Sequence, residues 1–381
     1  MKKRLIQLLL TGLFAVLLSA CANKSNDIPP KDLIKFTPKL HASYVWGRDI
    51  GNGTGKQLDV KLAPAIQNDT IYTVSFDGYV SAVNAQNGKI RWYKNTHLQL
   101  TASPNISDNF IITGSLHGKL IALDTTSGKI LWQSTLPSSL FSKPAIHDGV
   151  IYVQTHDGSI SAYQLKDGKQ LWTQKSPTPD LMLIGNSSPI YYKGLVLAGT
   201  ASGSLWGFKA DNGQKQWDNP VALPSGGSPA AQMVDINATP IIDNNVLYIA
   251  TFQGNLISFD TQYGNVKWQK KASVFNNMSL TDNALFVSDA KSDLIAYDTK
   301  NGQIKWQKDI LQGRKISAPL YYKGYVIVGD YEGYLHIFNA TTGQYLDRVD
   351  IGGDGIKAQP VIANSYIAVQ TNDGTLAAVK L

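Results

Sequence analysis

Cysteine is almost missing from this chain: Cys21 is the only one among 381 residues, so no intrachain disulfide can form. Histidine is scarce too. His41, His97, His117, His147, His156 and His336 show neither HxxxH nor HExxH spacing, which removes the usual helical zinc motifs. Charge is thin, at 17% of residues, and the formal +7 overstates what remains if Lys2, Lys3 and Arg4 leave with a signal segment. The lysines fall mostly one at a time after turn glycines, as at Lys89, Lys129 and Lys169, so there is no basic stripe for nucleic acid. The apolar run at residues 5–18 is shorter than the ~20 residues that span a bilayer. A glycine-rich stretch, residues 51–56, fails as a phosphate loop because its spacing is short by one residue and Gln57 stands where Ser or Thr is needed.

What the chain has instead is glycine, 33 of them, with many Tyr, Val, Ile and Trp residues and a 43% hydrophobic content, a composition for a turn-rich all-β protein. These residues are periodic. A Pro is followed by a Gly fourteen positions on, a second Gly ten further and a Trp four after that, as in Pro104, Gly118, Gly128 and Trp132. The same frame starts at Pro64, Pro144, Pro189 and Pro240. A sixth copy keeps Gly302 and Trp306 but has Met278 and Ser292 in the first two slots; a seventh begins at Pro319 and has Asp347 in the Trp slot; an eighth, from Pro360, has room for three strands only.

The third copy reads as four strands, at 143–146, 150–154, 159–164 and 169–173, separated by three Asp-Gly turns. Four strands in ~40 residues is the size of a propeller blade. Residues 44–46, Tyr-Val-Trp, match a fourth strand that has no first three before it. The expected fold is therefore an all-β, eight-bladed propeller over 41–381, closed by an N-terminal strand on the C-terminal blade, with no open edge at the seam. A Trp repeated in every blade is expected to pack between blades, and Trp206, outside the slot, to pack as well.

The N-terminus has a positive start, an apolar stretch and the small residues Ser19 and Ala20, as a secretory signal does over 1–20. Leu18-Ser19-Ala20-Cys21 resembles the lipobox of bacterial lipoproteins, which implies lipidation at Cys21. Ala22 rather than Asp follows, which by the same resemblance implies the outer membrane. Residues 21–40, with Pro29, Pro30 and Pro38, read as the lipidated cysteine and a flexible tether.

The strand end, Thr/Ser/Asn-Gly-Lys turn and Trp resemble the repeat of the pyrroloquinoline-quinone (PQQ) dehydrogenases. With the lipobox and the eighth blade, the chain resembles the BamB family, the lipoproteins of the outer-membrane β-barrel assembly machinery. That resemblance implies a non-catalytic scaffold facing the periplasm, a monomer within its complex, which binds the periplasmic POTRA domains of BamA, and through it the other lipoproteins, and assists insertion of barrels. Nascent barrel proteins are a further partner it allows. No cofactor, metal or nucleic acid is implied. The alternatives are a PQQ-dependent quinoprotein dehydrogenase and a propeller that binds proteins or polysaccharide. The first lacks the adjacent-cysteine disulfide of those enzymes, and Asp124, Asp260 and Asp298 share a turn position suited to an Asx hydrogen bond.

Function is sought where the repeat is interrupted. Trp172 and Pro189 lie 17 positions apart and Trp217 and Pro240 lie 23 apart, where most such separations between blades are 10 to 13. Both gaps connect a fourth strand to a first strand and flank blade four, so they should be neighbours on one face. The first contains Leu181, Met182, Leu183 and Ile184, an apolar cluster where solubility favours polar residues. By the family resemblance Leu181 and Leu183 match two leucines that contact BamA, while Ile184 stands where an arginine is usual. In the second, Asp235 matches one of two acidic residues and Asn237 replaces the other. The implied docking patch, Leu181, Met182, Leu183, Ile184, Asp235 and Asn237, is more apolar and less electrostatic than the family norm.

Overall fold

Asp-Gly turns close all three hairpin connections in blade three, and the strands they join are nearly those read from the pattern. In the computed structural model, which describes residues 28–54 and 60–381, they run Ala145–His147, Val150–Gln154, Ser159–Gln164 and Gln170–Lys175. Cys21 and the signal-like segment lie outside the described residues. The second and third strands are buried along nearly their whole length, and the fourth is exposed except at Trp172. Strands covered on both faces by neighbouring blades need continuous apolar runs; the rim strand needs only one anchor.

The described residues form eight such four-stranded antiparallel sheets, each in simple meander order except the last. There Ser43–Asp49 is added to Thr375–Lys380, so the first strand of the chain completes the final blade. The eight-bladed propeller and its closure are as expected from the repeats.

A β-bulge explains how the tryptophans work. In blade two Ala122 lies opposite Trp132 but Leu123 lies opposite Ile130, leaving Leu131 unpaired and 42% exposed. The third-to-fourth pairing shifts register in every blade, including the closing one between Tyr44 and Trp46. The extra residue re-aims the indole toward the next blade. Trp132 donates its indole N–H to Leu165 O at 2.9 Å, and Trp172 does the same to Ala210 O at 2.9 Å. The ring lies over the second glycine of that next blade. At Gly213, with φ of 72°, a Cβ would come within 2.6 Å of the Trp172 ring, so both conformation and contact require glycine. Trp46 over Gly88, Trp92 over Gly128, Trp132 over Gly168, Trp268 over Gly302 and Trp306 over Gly343 repeat this lock.

Two of the eight seams depart from it. Between blades four and five, Trp217 lies over Gly207 of its own blade, and Gly264, the matching glycine of blade five, has no atom within 4 Å of a built Cβ. Trp217 still packs against apolar residues of both blades, but not in the expected pose. Gly207 stands where most blades have Ala, and that missing methyl is the room the ring uses. Trp206, the tryptophan outside the slot, packs beside Phe208 with the Lys215 ammonium 4.3 Å from its ring centre.

Between blades seven and eight, Asp347 replaces Trp, and Ile337 fills the space opposite it that Ala occupies in most blades. Asp347 Oδ2 accepts the backbone N–H of Ala42 at 2.8 Å, tying the closing strand to blade seven. The chain before that strand is fastened too. Lys31 pairs with Asp309 at 2.7 Å, its carbonyl accepts from Arg314 Nη1 at 3.1 Å, and Phe36 meets Tyr345 edge-on at 4.6 Å. Residues 28–40, expected as part of a flexible tether, are instead a strap along blades six and seven. Lys31 and Phe36 find partners there that no local pattern reveals.

Beneath the strap, Asp330 is fully buried and bonds Arg314 Nε at 2.8 Å and His336 Nε2 at 2.9 Å. His336 Nδ1 lies 2.8 Å from the Tyr345 hydroxyl. Burial opposes ionisation of Asp330, but its bonds to His336 and Arg314 outweigh burial and hold its pKa below the usual carboxylate range.

Candidate docking site

The two long connections meet. Leu183 N–H donates to Asp235 Oδ1 at 2.8 Å, Asn237 Nδ2 donates to Gly185 O at 3.2 Å, and Ser188 N–H donates to Thr239 Oγ1 at 3.2 Å. The first loop is thus bracketed at its middle and its end by the second. With the backbone held at Leu183 and Gly185, the side chains of Leu181 and Ile184 stand out, 44% and 46% exposed, while Met182 and Leu183 are half-buried.

The base of the second loop is a plug. Val234, Ile236 and Ala238 are almost fully buried, and Ile236 rests on Gly199 at the end of the second strand of blade four, where a Cβ would collide with it. The Ile236 N–H bonds Thr200 O at 3.1 Å, and the carbonyl of Asp235 accepts from Phe252 N–H at 2.9 Å, so the plug joins blades four and five.

Asp235 lies between those buried residues and is 1% exposed. Its carboxylate, expected on the partner-facing surface, points inward and serves as the bracket for the first loop. Its Oδ2 is enclosed and makes no hydrogen bond with a described residue. Burial raises its pKa to about 6, with the Leu183 N–H bond opposing the rise. Asn237 is half-buried and equally engaged. Neither Asp235 nor Asn237 therefore adds a charge beside the exposed aliphatic side chains of Leu181 and Ile184.

One residue escaped the sequence reading. Leu223, in the second loop, is 73% exposed immediately after buried Val221 and Ala222. The available signal was a leucine ahead of the turn-forming run Pro-Ser-Gly-Gly.

The carboxylates considered for an enzyme do turn work. Asp124 Oδ1 accepts from Ser127 N–H at 2.7 Å, Asp260 Oδ1 from Gln262 N–H at 2.9 Å, and Asp298 Oδ1 from Lys300 N–H at 2.9 Å. Each closes an Asx turn at the third-to-fourth hairpin. Among the described residues, no group of three or more His, Cys, Asp or Glu is arranged to hold a metal ion.

A family model described as outer membrane protein assembly factor BamB matches residues 76–308, more than half of the chain. The chain belongs to the BamB family. A BamB-family relative from Francisella tularensis subsp. tularensis, named outer membrane protein assembly factor BamB, is 41% identical over 380 residues, covering 98% of this chain and 83% of that protein. The crystal structure of BamB from Moraxella catarrhalis superposes with a TM-score of 0.82 at 26% identity, covering 90% of this chain and all of that one. A europium-containing methanol dehydrogenase also superposes, with a TM-score of 0.72 over 89% of this chain, but at 13% identity it shares the fold alone. The BamB family and the dehydrogenases thus have a propeller in common, and the difference lies in what each hangs on it.

Proposed function

We propose that this chain is a non-catalytic scaffold of outer-membrane protein assembly, anchored at the outer membrane by lipid on Cys21, facing the periplasm, and docked through its loop pair to the periplasmic domains of BamA. The observation that carries the docking surface is the bracketed loop: two large aliphatic side chains held out by backbone bonds to a buried plug. Such preorganisation lowers the ordering cost of association. Leu181 and Ile184 are the anchors, Met182 and Leu183 fill the surface between them, and Leu223 extends it on the second loop. Asp235 and Asn237 act through the backbone they hold. The membership of the chain in a family described as an assembly factor supports the wider role.

The test is co-purification from outer membranes with the full-length lipoprotein. Leu181→Asp combined with Ile184→Asp is expected to abolish recovery of BamA while leaving the thermal unfolding midpoint unchanged. Undiminished recovery by the folded double variant would refute the assigned surface.

A further inference from the structure

The loop pair also forms one wall of the central channel of the propeller. A cavity of about 420 Å³ opens at the starts of the first strands, and Ile184, Gly185, Asn186 and Asn237 line it together with Lys143 from the neighbouring connection between blades two and three. Three lysines, Lys61, Lys143 and Lys357, reach this cavity, and none of its described lining residues is acidic.

Most polar groups around the ring are engaged in joining blades. Asn105 Nδ2 donates to Pro144 O at 2.8 Å, Asn276 Nδ2 to Ile316 O at 3.0 Å, and Gln359 Nε2 to Pro319 O at 2.7 Å. Lys61 lies 2.6 Å from Asn276 Oδ1 and over the Phe275 ring. Lys143 differs from all of these: its ammonium makes no hydrogen bond or ion pair with any described residue. The side-chain oxygen of Asn186, in the same cavity, is enclosed and makes no hydrogen bond with a described residue.

We infer that the channel mouth is an oxyanion-binding site centred on Lys143, with room for a phosphate or a small carboxylate and with the docking loop as one wall. A cation facing a concave surface without acidic lining attracts an anion, because low-dielectric walls focus its field. Water reaches Lys143, yet protein surrounds it on most sides, and this enclosure lowers its pKa. A bound anion removes that penalty. Asn186 and Gly185, adjacent to Ile184, then couple occupancy of the channel to the loop that carries the apolar anchors. Phosphate and carboxylate share the recognising chemistry, and the experiment separates them.

Equilibrium titrations of the full-length protein in detergent, with sodium phosphate and with sodium succinate against sodium chloride at matched ionic strength, are the test. Saturable binding at millimolar concentration is expected for at least one of the two. Phosphate alone identifies a phosphate site; comparable succinate binding identifies a carboxylate site. Lys143→Gln should weaken binding about tenfold, the scale of one lost charge-assisted hydrogen bond, and Lys143→Arg should retain it. In the unmodified protein, bound anion should slow acetylation of Lys143 but not of exposed Lys129, a readout that needs no variant. Absence of saturable binding by either anion, or wild-type affinity in Lys143→Gln, overturns the proposal.

Discussion

Six seams of this propeller are built alike and two are not. At the six, a bulge aims a Trp onto the second glycine of the next blade, and the indole N–H finds a carbonyl there. At the seam between blades four and five the Trp folds back onto its own blade, and a plug from the long connection binds the two blades at the channel end. At the seam between blades seven and eight an aspartate replaces it and holds the closing strand. The uniform seams carry architecture. The irregular ones carry what is individual: the plug of the second long connection at one, the N-terminal strap at the other.

Three tests put that contrast under strain. The largest loss is expected beneath the strap. Asp330→Ala leaves Arg314 and His336 without their buried acceptor and should cost about 5 kcal/mol in urea unfolding, the upper range for breaking a buried pair. Its pH dependence has a definite sign. Asp330 has a folded pKa below its unfolded value, so its contribution is present above the unfolded pKa and is lost as pH falls through the folded pKa. Wild type and Asp330→Ala should therefore converge in acid.

The second compares the seams directly. Trp172→Ala removes a nearly buried indole from a regular seam and should cost about 3–4 kcal/mol, whereas Trp217→Ala at the irregular seam should cost about half as much. Equal losses, measured by the same unfolding curves, would show that the two poses contribute alike and dissolve the distinction.

The third effect is a gain. Asp235 has a folded pKa of about 6 against an ordinary 3.8, so the fold favours its protonated form. That advantage is complete below pH 3.8 and is lost as pH rises through about 6, leaving a buried charge that costs about 2–3 kcal/mol near neutrality. Asp235→Asn keeps an acceptor for Leu183 N–H and removes the charge. It should raise stability at pH 7 to 8 by up to that amount and leave stability at pH 4 nearly unchanged, with the proposed docking surface intact.

Particular residues mark how far the sequence could be read. The second and third strands of blade three match their expected limits to the residue, because Asp-Gly turns bound apolar runs that can only be strands. Leu181 and Ile184 were legible as aliphatics in an interrupted connection. Asp235 was legible as a position but not as a role: an acid in a loop looks solvent-facing until Val234 and Ile236 are seen to carry it inside. Leu223 was passed over because one leucine in a polar loop has no period to betray it.

The chain alone determined the number of blades, the closure by residues near Trp46 and the places where the repeat breaks, since each follows from local turn chemistry and spacing. The tertiary structure alone decided where Trp217 points, what residues 28–40 lie against and which polar groups in the channel remain unpaired. Those depend on contacts between residues tens or hundreds of positions apart, as between Lys31 and Asp309 or Leu183 and Asp235, and no periodicity along the chain records such partners.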